Sequence, residues 1–180
     1  PIPGWAEQNP EDWWNALGGA VRQAVIDANV GKQEILGICL DTTCCSVVAL
    51  DGAGNPLRPA LIWMDMRSAP QTEQVLATAD PALQVNSNGS GPVSAEWMIP
   101  KSLWIQQEEP EIFEKAETVC EFQDYLNLNL TGKRVASINN VSVRWHYGPG
   151  WGGWASSLVK NLGMTELLKK WPNTVLRLGE

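Results

Sequence analysis

The chain has 180 residues, 44% of them hydrophobic and 18% charged, with 20 acidic against 13 basic side chains and a formal net charge of −7. No apolar stretch approaches the roughly 18 residues that a membrane span requires, and the acidic balance lacks the Lys/Arg footprint on which nucleic-acid binding rests. Neither a membrane nor a nucleic acid is expected as a partner.

In chain order, Asn9-Pro10-Glu11-Asp12 starts a helix: Asn caps it, Pro takes the first helical position, and two carboxylates sit in the positive first turn. Trp13, Leu17, Val21, Ala24 and Val25 recur at spacings of three and four, giving an apolar face that should end near Gly31. Ile35 to Leu40 reads as a strand buried on both faces, and Ser46 to Leu50 as a second. The punctuation from Asp51 to Pro56 turns the chain into a third strand, Ala60 to Trp63. Helix, strand and hairpin together form an α/β signature. Ser68 to Ala77 is helical and mostly polar, and Gln84 to Ser94 is a loop dense in Asn, Ser and Gly.

The next helix carries Trp97, Lys101, Trp104, Ile105 and Glu108, with Pro100 tolerable where the helix begins. A short helix follows Pro110, Val119-Cys120 is a brief strand, and a helix from Asp124 to Leu130 is stopped by Gly132. Gly148 to Gly153 is a turn. Two small helices, Ala155 to Leu162 and Thr165 to Trp171, close the chain, the second capped by Thr165 and carrying Lys169 and Lys170 in its last turn.

Three segments can carry chemistry. Trp63-Met64-Asp65-Met66-Arg67 lies at a predicted strand end, where open α/β sheets place ligand groups. A Trp face beside Asp and Arg suits a polyol, and the same residues equally make a buried Trp beside a structural ion pair. Trp97 and Lys101 stand one helical turn apart, so both can project toward one site. Asp41-Thr42-Thr43-Cys44-Cys45 follows the first strand, with hydroxyls and amides available to a ligand or to packing.

The four cysteines, Cys39, Cys44, Cys45 and Cys120, have neither the density nor the spacing of a secreted disulfide framework, and the single His146 cannot complete a Cys/His zinc site. A reducing compartment follows, and the Asn-x-Ser/Thr matches at Asn88, Asn129 and Asn140 are short enough to recur by chance. Cysteine-based hydrolysis through Cys44 or Cys45 would need a base near the thiol, and His146 is remote in sequence. No Gly-rich phosphate cradle of either common spacing occurs.

Taken in register, these segments resemble the N-terminal domain of the FGGY family of carbohydrate kinases. The resemblance runs from Pro3-Gly4-Trp5-Ala6-Glu7-Gln8-Asn9-Pro10 with Trp13-Trp14, through Asp41-Thr42-Thr43-Cys44, to Asp51-Gly52-Ala53-Gly54-Asn55-Pro56-Leu57-Arg58-Pro59-Ala60. It continues with Trp63-x-Asp65-x-Arg67, Pro100-Lys101-x-Leu103-Trp104, Glu109-Pro110-Glu111, Asp124-Tyr125-Leu126 and Leu130-Thr131-Gly132. Within the family, Glu96 to Lys101 and the Asp-Thr-Thr-Cys segment are most similar to the ribulokinase-like branch, whose kinases act on ribulose, ribitol or xylulose.

The resemblance implies a partial ribonuclease H-like (actin-like ATPase) α/β domain with a mixed sheet and flanking helices. It assigns the sugar or polyol site to Lys101, Cys44 and Trp63, with Thr43 and Asp65 as neighbours. It also implies ATP and Mg as cofactors of an intact cytoplasmic parent, and leaves homodimer formation open. The pair Cys44-Cys45 departs from the commoner family pairs. Opening at Pro1 with neither Met nor a leader, residues 1–180 are expected to be an incomplete N-terminal domain, lacking the first phosphate-binding hairpin, the catalytic Asp segment and the C-terminal domain. Such a piece should contact sugar without turnover, and itself bind no cofactor. The rival expectation is a non-catalytic carbohydrate-binding or scaffold protein.

Overall fold

The structure is a computed structural model that describes residues 2–85 and 93–180. Most of the expected Gln84 to Ser94 loop, with Asn88, lies outside the described residues. A two-residue strand, β1 (Glu7–Gln8), leads into helix α1 (Pro10–Ala28). Asn9 caps α1 by accepting from the Glu11 N–H at 3.2 Å, and Asn29 ends it in the left-handed conformation at φ 52°. The cap and Pro10 therefore act as their chemistry dictates, and the helix ends at Ala28, three residues before Gly31.

Strands β2 (Val47–Leu50) and β3 (Ala60–Leu61) form the expected hairpin around the Asp51 turn, where the Asp51 carboxylate accepts from Ala53 and Asn55 N–H. Helix α2 (Ala69–Ala77) follows, and α3 (Met98–Glu108) packs against it. Pro100 sits in the first turn of α3, where its missing N–H leaves no helical bond unmade. After α4 (Pro110–Lys115), β4 (Thr118–Glu121) pairs with β2, with Val47 opposite Glu121 and Leu50 opposite Thr118. The sheet order is β1-β3-β2-β4, all antiparallel.

Helix α5 (Phe122–Thr131) leaves the end of β4, and Gly132 closes it at φ 70°. A second, two-stranded parallel sheet joins β5 (Val135–Ser137) to β6 (Thr174–Leu176). Between them lie α6 (Ile138–Arg144), α7 (Ser156–Asn161) and α8 (Leu167–Lys170). Strands β5 and β6 and helix α6 escaped the sequence reading, because three-residue strands and a seven-residue helix carry too little periodicity to register. Thr165 does not cap α8, which begins at Leu167 after Glu166; it supplies a carbonyl to the Leu168 N–H instead.

The core runs from β2 and β4 across α3 to a cluster of Trp145, Trp154 and Trp171, whose rings lie 4.6–5.7 Å apart. Ile35 to Leu40 is the main departure from expectation. It forms no strand, and Leu36 is 98% exposed. Apolar composition marks a segment able to be buried, but a strand also needs a neighbour's backbone groups, and the four-stranded ladder is assembled without it. Along the same flank α1 is only half covered: Trp13 packs on Phe122 with centroids 4.0 Å apart, whereas Ala24 of the predicted apolar face is exposed.

Candidate functional site

Lys101 occupies the second turn of α3 and is fully buried at 0% exposure. Its ammonium donates to Cys45 O and Ile62 O, each at 2.7 Å, and more weakly to Leu61 O at 3.4 Å. An ammonium has three N–H donors, and here all three are directed at main-chain carbonyls. Burial lowers the pKa to about 8, against the opposing pull of the Cys45, Asp65, Glu121 and Glu96 groups. The side chain therefore clips the start of β2 to the end of β3. It draws together the chain just after Cys44 and the chain just before Trp63.

Around this clip, Cys44 is half-buried, Thr43 is exposed and Trp63 is 45% exposed. Cys45 is buried and left-handed at φ 69°, a conformation uncommon for any residue bearing a Cβ. Trp97, expected to share a site with Lys101, does not. It precedes the helix in extended conformation, so helical spacing does not apply to it, and its ring faces His146 with Arg144 over it at 5.0 Å.

The Trp63 to Arg67 segment divides by alternation. Trp63, Met64 and Met66 point outward at 45–47% exposure, while Asp65 and Arg67 turn inward. Asp65 accepts from Arg67 Nε at 2.9 Å, Arg67 Nη2 at 2.8 Å and the Ala6 N–H at 2.6 Å, with no exposed surface. Arg67 also reaches Glu7 at 2.8 Å and stacks over Trp5 at 3.8 Å. Asp65 thus holds β1, β3 and the following loop together as an ion pair with Arg67, while Trp63 is exposed and not the buried Trp that the structural reading of the motif expected.

Sequence reasoning passed over Glu121. It is fully buried at the end of β4 and accepts from Trp145 Nε1 at 2.6 Å. Burial raises its pKa to about 7, and burial raises that of the neighbouring Asp124 to about 8. Helix α5 starts at Phe122 and not at Asp124 as expected, and the Glu121-x-x-Asp124 spacing, in which Asp124 accepts from the Glu121 N–H at 3.0 Å, is the signal that the sequence offered. No hydrogen bond joins His146 to a cysteine among the described residues: its Nδ1 lies 3.1 Å from Ala82 O, and burial lowers its pKa. Burial also pushes the Cys45 thiol well up, so Cys45 rests as a thiol, and His146 is not placed to deprotonate it for hydrolysis.

Among the described residues no group of three or more His, Cys, Asp or Glu side chains is placed to hold a metal ion. With no Gly-rich cradle of either common spacing in the sequence, the side chains of the described residues do not fit a nucleotide or its metal. Among the described residues no helix is long and apolar enough to cross a membrane. A cleft of about 810 Å³ opens elsewhere, lined by Ile38, Leu40, Leu130, Val135, Leu176 and Leu178 among others, and includes none of the sequence-predicted ligand residues.

The chain is similar to xylulose kinases. That of Streptomyces coelicolor is 34% identical over 151 residues, which are 83% of this chain and 29% of the relative. That of Escherichia coli is 31% identical over 142 residues, 79% of this chain and 28% of the relative. The crystal structure of xylulose kinase from Rhodospirillum rubrum superposes with a TM-score of 0.79 at 28% identity, over 97% of this chain and 35% of that one. A kinase from Brucella ovis described as a xyloylose kinase gives 0.83 at 27%, over 98% and 36%. The chain thus spans about a third of the length of these relatives, and its mixed α/β fold is part of the actin-like ATPase fold they share. The FGGY N-terminal domain profile matches residues 1–175, and the chain belongs to the FGGY family of carbohydrate kinases, as an N-terminal domain.

Proposed function

We propose that this chain is the sugar-binding part of an ATP-dependent kinase that phosphorylates a hydroxyl of a pentulose or polyol, with xylulose favoured over ribulose and ribitol. The names of the relatives at 34% and 31% identity support the substrate class. The observation that carries the reading is the Lys101 clip, which gathers the Cys44 and Trp63 segments at the ends of β2 and β3. An exposed indole offers an apolar face to sugar C–H groups, while hydroxyls hydrogen-bond to neighbouring polar atoms. In this reading Cys44, Thr43 and Trp63 face the sugar. Lys101, with its N–H groups committed to carbonyls, positions them, and Asp65 fixes the loop behind Trp63.

ATP and Mg would serve the intact cytoplasmic enzyme, supplying the phosphoryl group and neutralising its charge. The side chains described do not fit either group, so they are assigned to segments beyond residues 1–180: a phosphate-binding hairpin, a catalytic Asp segment and a C-terminal domain.

Titration of the 180-residue chain with xylulose, ribulose and ribitol, followed by Trp fluorescence, tests the proposal. A saturable change that disappears in Trp63→Phe is expected, without sugar-dependent ADP release. Absence of a saturable change with all three sugars would overturn sugar binding, and ADP release by this chain would overturn its restriction to binding.

A further inference from the structure

We propose that Cys44 and Cys45 form a reversible redox site, closing to a vicinal disulfide on reaction with a hydroperoxide. The Cys45 thiol donates to the Cys44 Sγ at 3.6 Å, so the two sulfurs already face each other in the reduced state. Cys45 adopts φ 69°, and the 2.7 Å bond from Lys101 to its carbonyl holds the turn there. A non-glycine residue in this region is a strained element retained by its surroundings. The two thiols also differ in access: Cys44 is half-buried, whereas Cys45 is 4% exposed. Burial and the Glu121 carboxylate keep the Cys45 thiol protonated.

These differences set the order of events. The Cys44 Sγ takes the terminal oxygen of the hydroperoxide, becoming a sulfenic acid as the O–O bond breaks and an alcohol leaves. The Cys45 Sγ then attacks the Cys44 Sγ, the S–S bond forms, and the displaced hydroxide leaves as water with the Cys45 thiol proton. Two thiols lose two electrons and two protons, and the hydroperoxide is reduced to alcohol and water.

Adjacent trans residues hold their Cα atoms about 3.8 Å apart, below the usual disulfide range of roughly 4.4–6.8 Å. The bridge is therefore strained and easily reduced by a small dithiol, as labile regulatory disulfides are. Closure draws the Cys44 sulfur toward buried Cys45. The consequence for ligand binding rests on the sugar-site reading above, since it removes Cys44 from the face assigned to the sugar.

The experiment uses the 180-residue chain with exposed Cys39 changed to Ser, treated with hydrogen peroxide, digested and mapped by mass spectrometry. Expected is loss of the mass of two hydrogens on the peptide holding both residues, reversed by dithiothreitol and absent in Cys44→Ser. In Cys45→Ala, dimedone should trap a sulfenic acid on Cys44; should that variant fail to fold, the mapping of the parent chain decides alone. A bridge elsewhere, or no mass loss, overturns the proposal. Weaker xylulose binding by the oxidised chain supports the switch, and unchanged binding overturns it. If neither form binds sugar while the bridge still maps to Cys44-Cys45, the sugar reading fails and the redox site stands.

Discussion

The sheet around Lys101 and the flank formed by α1 and residues 35–40 have similarly apolar sequences and opposite fates. In β2 every side chain is buried, and the carbonyls at its entry and at the end of β3 converge on one ammonium. In the flank, Ile35, Leu36 and Ile38 are 41%, 98% and 56% exposed. Hydrophobicity alone does not separate them. What differs is the supply of backbone partners: β2 has β3 on one side and β4 on the other, while residues 35–40 pair with no strand among those described. A buried peptide group without a partner costs free energy comparable to a lost hydrogen bond, so partners decide which apolar run becomes a strand.

This contrast can be tested by substitution. Asp65→Ala leaves the Arg67 guanidinium buried beside an empty position, with Glu7 its remaining carboxylate, and should cost about 3–5 kcal/mol in urea unfolding. Next, Leu50→Ala, at a residue with no exposed surface, should cost roughly 3 kcal/mol through lost transfer energy and the cavity left behind. Lys101→Met keeps most of the volume but strips carbonyls of their donor; a loss of about 2 kcal/mol is expected. A Lys101→Met chain as stable as the parent would sink the clip. Leu36→Ser sits at the other extreme, and its unfolding midpoint should move by less than about 0.5 kcal/mol equivalent.

The same buried region should set the pH dependence. Glu121 and Asp124 have pKa values raised by burial from 4.5 and 3.8 to about 7 and about 8. Between the unfolded and folded values the native state holds more protons than the unfolded chain, so this contribution to stability falls as pH rises from about 4 to about 8. Lys101, lowered by burial from 10.5 to about 8, contributes in the opposite sense above that pH, where the unfolded chain holds the extra proton. Melting temperatures across pH 5 to 8 should decline less in the Glu121→Gln, Asp124→Asn double variant than in the parent; equal slopes would remove these two carboxyls as the cause.

Local chemistry was readable directly from residue order. Asn9 and Pro10 start α1, Asp51 builds the hairpin turn, and Gly132 ends α5, because each acts on backbone groups within a few positions of itself. The motif resemblance located the family through the same ordered residues. The site was legible only as a set of names. Lys101 as a residue of interest came from its Pro-Lys neighbourhood, but its partners Cys45 and Ile62 lie 56 and 39 positions away, and no spacing encodes such a contact.

Asp65 shows the same limit from the other direction. Its motif suited either a ligand or an ion pair, and nothing in the local pattern encodes the Ala6 N–H, 59 positions away, that closes on it beside the Arg67 guanidinium. Sequence by itself determined the Asn9 cap, the Gly132 stop, the Asp51 turn with its hairpin, and the family, whereas the expected Thr165 cap did not form. Tertiary structure alone decided which apolar run found a partner strand, which charges were buried, and that the two adjacent thiols face each other, because burial and long-range hydrogen bonding depend on groups the local pattern does not contain.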